Sequence, residues 1–401
     1  MIGRRAPGRP GEARVTGAAA RQVVISSFDN PAQPFYNGGG VAVVEMIAAR
    51  LRPHFEVTVV TAGRGAGAVV RDGIRYRVLP VAWAGPRTGQ LLYHLLLPIA
   101  AWRVPHDLWI ENFTPPFSTS FLPLFSRAKV LGFAQALTGD EMARKYHLPF
   151  FLVERLGLRF YDDIVVLNPA DQERVRQHNP SAAVRLIPNG IEQRGLDELT
   201  LGAGEHILFL GRIDIWRKGL DLLIEAYEQS GLALPLLIAG AGVPREERRL
   251  AELIAATRGN VRWVGHVTGA AKQELLERSA FVTVPSRAET FGLAALEAMS
   301  RGKAVLHFDL PTLRWMGGDI RVPAFDTGAL AAQMRGLADD QTARSELGRA
   351  AHAAAQQFGI TETADRYLSV VRDLIGPPGT PGPARGRPAR PARCPRARAP
   401  R

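Results

Sequence analysis

From residue 22 the chain alternates short apolar runs with longer stretches whose apolar residues recur at helical spacing. QVVISSF (22–28), EVTVVTA (56–62), DLWIENF (107–113), KVLGFAQ (129–135), DIVVLN (163–168) and VRLIPN (184–189) read as strands. VAVVEMIAARL follows a glycine run and sets Val44, Ile47, Ala48 and Leu51 on one helical face. Strands separated by helices imply a parallel sheet with helices on both faces. Gly190 to Glu205 is polar and without periodicity, so it reads as a linker. The plan then restarts. HILFLGR (206–212), PLLIAG (235–240), VRWVGH (261–266), FVTVPS (281–286) and KAVLHF (303–308) read as strands. GLDLLIEAYEQ carries Leu220, Leu223, Ile224 and Tyr227 at helical spacing. Two such halves predict an α/β protein with two Rossmann-like domains facing across a cleft, over residues 22–190 and 191–360.

Composition changes this picture little. The chain has 401 residues, 46% of them hydrophobic, which suits two globular domains. Leu91 to Trp102, 12 residues, is the longest nearly uncharged apolar stretch. A membrane-spanning helix needs about 20. No secretory signal is expected, because the basic N-terminus lacks an apolar core. The single cysteine, Cys394, excludes internal disulfides and cysteine-ligated zinc, and a cytoplasmic location is expected.

Charge needs locating before it means anything. Of the net +12, residues 377–401 carry +7 and residues 1–21 carry +4. The stretch between them is almost neutral. Both tails are expected to be disordered, since they hold too few apolar residues to pack. A nucleic-acid-binding domain carries its basic residues on a folded face, so no nucleic-acid partner is expected.

Ligands of open α/β sheets bind beyond the carboxyl ends of the strands, so the chemistry belongs in the loops there. Three of these loops stand out. Gly211-Arg212-Ile213-Asp214-Ile215-Trp216-Arg217-Lys218-Gly219 carries three cations between glycines. Arg212 and Lys218 can clamp a diphosphate, one as a fork and one as a point charge. In Pro285 to Met299 a strand gives way to a helix near Phe291 to Leu293. The free amides of Phe291, Gly292 and Leu293 suit phosphate, and Gly292 leaves room for it. Glu289 and Glu297 flank that anion site and can accept hydrogen bonds from sugar and ribose hydroxyls. The third loop is Asn37-Gly38-Gly39-Gly40, which is neither a Walker loop nor GxGxxG. Each has a plainer alternative: a solvated basic loop, helix-dipole and surface carboxylates, a flexible turn.

Together the loops resemble the retaining glycosyltransferases of family 4, within the group 1 glycosyltransferases, over roughly residues 22–375. Pro285–Met299 looks like that family's E-x7-E signature. Gly211–Leu220 looks like its GR-x-x-x-x-KG-L segment, and Pro188-Asn189-Gly190-Ile191 like its PNG crossing between domains. The resemblance implies a GT-B fold and a UDP- or GDP-sugar donor. It implies that Glu297 holds the ribose, Glu289 approaches the donor sugar, and Arg212 and Lys218 cradle the diphosphate. It also implies that Gly39 and Gly40 close over donor phosphate or acceptor. Val264 to Val267, with Gly265 and His266, would pack the nucleobase. The last helix, 361–376, would return to the N-terminal domain. Transfer would proceed with retention, towards polysaccharide, glycolipid or glycoconjugate. No D-x-D motif occurs, so no metal and no resident cofactor are expected.

One departure bears on the donor sugar. Many family members carry a histidine after the strand corresponding to Lys129–Gln135. Here Ala134 or Gln135 stands there, with His147 in the following stretch. The acceptor, a glycan or a lipid-linked molecule, would meet the N-terminal half. Leu91 to Trp102 and Asn112 to Phe125 there read as core helices, or as a groove or interfacial patch for a lipid-linked or hydrophobic acceptor; the Arg-rich tails would assist peripheral contact with the inner membrane face. A non-catalytic nucleotide-sugar or glycan-binding protein is the alternative to the enzyme.

Overall fold

The computed structural model describes residues 20–30, 40–115, 117–135 and 137–376. Gly39, Cys394 and nearly all of both tails lie outside them.

The first half runs β1 (Gln22–Ser26), α1 (Gly40–Leu51), β2 (Glu56–Gly63), β3 (Gly67–Arg71), β4 (Ile74–Pro80), α2 (Gly85–Arg103), β5 (Leu108–Asn112), β6 (Lys129–Ala134), α3 (Gly139–Tyr146), α4 (Phe150–Leu158), β7 (Asp163–Val166), α5 (Pro169–His178) and β8 (Ala183–Leu186). Its sheet has the order β3-β4-β2-β1-β5-β6-β7-β8. The central strands are buried on both faces, which is why β1 and β5 read as unbroken apolar runs. One expectation needs correcting. The sheet is not wholly parallel: β3 pairs antiparallel with β4 through a tight turn at Asp72-Gly73.

The second half runs β9 (His206–Leu210), α6 (Ile215–Lys218), α7 (Leu220–Ser230), β10 (Leu236–Ala239), α8 (Pro244–Ala256), β11 (Val261–Gly265), α9 (Gly269–Glu277), β12 (Ser279–Val284), α10 (Leu293–Met299), β13 (Ala304–Phe308), β14 (Asp319–Val322), α11 (Thr327–Asp339), α12 (Gln341–Ala355) and α13 (Ile360–Ile375). Its six strands, ordered β11-β10-β9-β12-β13-β14, are all parallel. Helix α13 packs against α1 of the first half. Arg50 and Asp365 pair across that contact, and Tyr367 meets Phe133 edge-on at 5.3 Å. Ile191 bridges to Gly359 beside it, so the chain crosses between the halves twice at one place.

Glu111, on β5, is fully buried in the first half. Burial pushes its carboxyl up to about 7, against the pull of hydrogen bonds from the Tyr161 hydroxyl and from the Ser120 amide at 2.7 Å. A carboxyl that binds its proton more tightly folded than unfolded favours the fold at low pH. That contribution is lost as pH rises from 4.5 to about 7. Denaturant unfolding at about pH 5 and about pH 8 should therefore show a smaller stability difference in Glu111→Gln than in the wild type, whatever the variant's absolute stability.

Candidate active site

The carboxyl ends of both sheets open onto one cleft of about 2020 Å³. On the side of the second half, β9 ends at Leu210 and delivers Gly211 and Arg212 to the cleft wall. Asp214 then caps α6 by accepting from the Arg217 amide at 3.0 Å. Helix α6 lasts one turn, and Gly219 ends it in the left-handed region at φ 64°. A Cβ at Gly219 would lie 2.0 Å from the Pro285 carbonyl oxygen, so the cationic loop is seated directly on the loop after β12. Gly219→Ala should consequently be destabilising by more than about 1 kcal/mol, with a lowered Tm and weakened donor binding together.

That seating brings Lys218 to Glu289. Their side chains meet at 2.5 Å, only 17% and 13% exposed. Burial alone would raise the Glu289 carboxyl. Lys218, and more weakly Arg217, outweigh it and hold the group below the ordinary carboxylate range, so it is ionised near neutrality. Ser286 donates a further hydrogen bond to Glu289 at 3.2 Å, and Thr312 fixes its backbone carbonyl at 2.6 Å. The carboxylate is therefore fixed in charge and direction.

Helix α10 starts at Leu293, and Thr290 to Ala295 line the cleft. The first amides of a helix have no intrahelical acceptor, so this wall attracts anions. The Phe291 side chain does not share the task. It is buried in a stack with Trp315, centroids 4.4 Å apart, whose indole donates to the Phe291 carbonyl at 3.0 Å. Gly292 lines the cleft and is also required by its backbone. Its φ is 82°, and an added Cβ would face Leu313 and Met316.

Glu297 lies one turn into α10 and lines the cleft. It accepts from Lys272 of α9 at 2.9 Å. His266 lines the same wall. Gly265, one residue earlier, does not; its carbonyl accepts from the Gly240 amide at 2.7 Å. Arg287, in the signature loop, turns away to grip Asp221 with two bonds of 2.7 and 2.8 Å.

The opposite wall comes from the first half. Gly40 opens α1 and lines the cleft. Gln135 follows β6 directly, and its amide donates to the Gly40 carbonyl at 3.4 Å. Ala134 is buried in the core. His147 ends α3 with φ 55°, is exposed, and does not line the cleft. Two polar contacts fasten the walls together. Arg217 pairs with Glu141 of α3 at 2.6 Å, and the Asn168 side chain donates to the Thr290 carbonyl at 2.8 Å. Lys272, Glu141 and Asn168 carry no motif. Only Asn168 gave a local signal, as an N-cap before Pro169. Among the described residues, no group of three or more His, Cys, Asp or Glu is placed to hold a metal ion.

Residues 38–190 match the model of the glycosyl transferase 4-like domain, and residues 204–340 that of the glycosyl transferases group 1. The chain belongs to the group 1 glycosyltransferases. Within that family it is 32% identical to the phosphatidyl-myo-inositol mannosyltransferase of Mycolicibacterium smegmatis, over 47% of this chain and 52% of that protein. The match thus spans about half the length of that relative. In fold it is similar to sucrose-phosphate synthase from Thermosynechococcus elongatus (TM-score 0.72, 20% identity, 88% of this chain and 99% of that one). The Anabaena protein HepE, solved in complex with UDP-glucose, superposes with a TM-score of 0.67 at 16% identity, over 88% of this chain and 100% of that one. The two facing sheets are the GT-B architecture.

Proposed function

We propose that this chain moves a sugar from a UDP- or GDP-sugar to an acceptor hydroxyl, with retention at the anomeric carbon. The observation that carries the reading is the Lys218–Glu289 pair beside the start of α10, a cation and a fixed carboxylate on one wall of the cleft. In this reading the diphosphate lies between Arg212, Lys218 and the amides of Phe291 to Leu293. Charge grows on the leaving phosphate as the glycosidic bond breaks, and preorganised cations and N–H groups stabilise it without reorganising. Glu289 accepts from hydroxyls of the donor sugar and Glu297 from the ribose. His266 and the chain around Gly265 border the base, and Gly39 and Gly40 close over donor phosphate or acceptor. A leaving phosphate oxygen takes the acceptor proton, so attack comes from the same face. No metal is needed, since Arg212 and Lys218 stand where a divalent ion would. The acceptor is a glycan or a lipid-linked molecule of polysaccharide or glycolipid synthesis on the cytoplasmic side of a membrane.

Support comes from the family membership and from the names of similar proteins, one a mannosyltransferase and one a protein solved with UDP-glucose. The test is donor turnover by the full chain, offered UDP- and GDP-sugars in EDTA, with NMR of the new anomeric centre. Transfer with an unchanged anomeric configuration is expected. Inversion, or turnover only after a divalent ion is restored, would contradict the corresponding part of the reading.

A further inference from the structure

Three successive carbonyls of the signature loop are held by side chains. Thr312 donates to the Glu289 carbonyl at 2.6 Å, and the Trp315 indole to the Phe291 carbonyl at 3.0 Å. Both come from the second half. The carbonyl between them, that of Thr290, is held from the first half by Asn168 at 2.8 Å. A trans peptide is rigid and carries its N–H on the side opposite its carbonyl. Fixing the Thr290 carbonyl therefore fixes the direction of the Phe291 amide, and the Trp315 bond does the same for the Gly292 amide. Among the described residues, neither amide has a hydrogen-bond partner. Both residues line the cleft.

Asn168 is fully buried, and every hydrogen of its side-chain amide is used. Its Oδ1 accepts from the Asp171 amide at 2.8 Å. Its Nδ2 donates to the Asp171 carboxylate at 2.7 Å and to Thr290. A side-chain amide has two N–H donors, so neither remains free. Turned over, the group would set its oxygen against a carboxylate and a carbonyl, so its partners decide its orientation. Asp171, itself buried on α5, thus clamps the amide from one side. Capping α5 needs only the Asn168 oxygen. The N–H that reaches Thr290 is surplus to capping, and it crosses to the other half.

We propose that Asn168 is a positioning residue for the donor site, aiming the Phe291 amide at the diphosphate from the opposite half. The proposal rests on the phosphate site of the proposed function. Charge grows on the leaving phosphate, so the direction of that amide matters most in the transition state. Thr290-Phe291 is the one Thr-Phe step in the sequence. The full chain, isotope-labelled at threonine carbonyl carbons and phenylalanine amide nitrogens, therefore gives one carbonyl–amide correlation by NMR, from this peptide. UDP or GDP is expected to move that signal in the wild type. Asn168→Ser should shift its carbon frequency before nucleotide is added and shrink the response to nucleotide. Donor turnover should lose about tenfold or more in kcat, with donor KM changing less, since a badly aimed N–H costs most where charge develops. Serine caps helices about as well as asparagine, so the thermal melt should stay cooperative. Asn168→Asp, which keeps the volume and the cap but cannot donate when ionised, is the second variant and should act in the same direction. The Arg217–Glu141 pair is untouched in both, so the walls remain joined. Wild-type kcat in both variants, or a nucleotide response that neither weakens, would leave Asn168 a helix cap alone and overturn the proposal. So would a wild type whose Tm rises with nucleotide while the Phe291 signal stays still. A wild type in which neither Tm nor signal responds would strike at the proposed function itself, and the proposal would fall with it.

Discussion

Lys218→Ala should lower kcat by about two to three orders of magnitude, the usual loss when one preorganised charge at a developing anion is removed. The structure adds a second consequence. Glu289 is held ionised by Lys218 against its own burial, with Arg217 a weaker help. Without the lysine, burial draws the carboxyl upward against the weaker pull of Arg217. A protonated Glu289 accepts hydroxyl protons poorly. The deficit should therefore widen as pH falls from neutral towards about 5, whereas wild-type Glu289 stays charged over that interval. Rate profiles of both proteins against pH check this. A uniform loss at all pH values would leave the lysine a role at the phosphate alone. A near-normal rate would place the diphosphate elsewhere.

Glu297→Ala should weaken nucleotide binding by about 5- to 150-fold, the range for losing charge-assisted hydrogen bonds worth roughly 1–3 kcal/mol. Stability should hardly change. The Glu297 and Lys272 side chains are 23% and 31% exposed, so the lysine left behind remains solvated and the lost pair contributes little. This separates a binding role from a structural one: calorimetric Kd for UDP or GDP moves while Tm does not. Lys272 also means that ribose hydroxyls must compete with an ammonium for the same carboxylate. Glu297→Gln should accordingly retain more affinity than the alanine variant, since its carbonyl oxygen still accepts.

Much of the architecture was legible in the sequence because buried parallel strands and amphipathic helices leave plain periodicities. Val44, Ile47, Ala48 and Leu51 are the buried face of α1, as their spacing predicts. The antiparallel β3–β4 hairpin departs from the expected parallel sheet, and its one local signal is Asp72-Gly73 between apolar alternations. Strand β14 is not legible either. Its four residues, Asp-Ile-Arg-Val, have too few apolar positions to register on their own. At the candidate site, the loops were legible because each is a local sequence of unusual residues at a strand end. Their partners were not. Lys272 reaches Glu297 from another helix, and Glu141 reaches Arg217 from the other half. Such pairings depend on how elements pack, and no spacing along the chain encodes them. At Gly292 the left-handed backbone is a further requirement for glycine, which the sequence does not show. The sequence of Leu91 to Trp102 fits either core or a surface patch, and α2 buries one apolar face and exposes the other.

The central claim is that the cleft takes a nucleoside diphosphate. Thermal unfolding of the full chain with UDP, GDP, ADP, NAD or a short DNA duplex tests it most directly. A ligand at 100 times its Kd stabilises the folded state by about 2.7 kcal/mol, well above detection. The account predicts that UDP or GDP raises Tm, that Glu297→Ala loses most of the rise, and that NAD and DNA leave Tm unchanged. No rise with either UDP or GDP, or a rise with NAD or DNA alone, would contradict it.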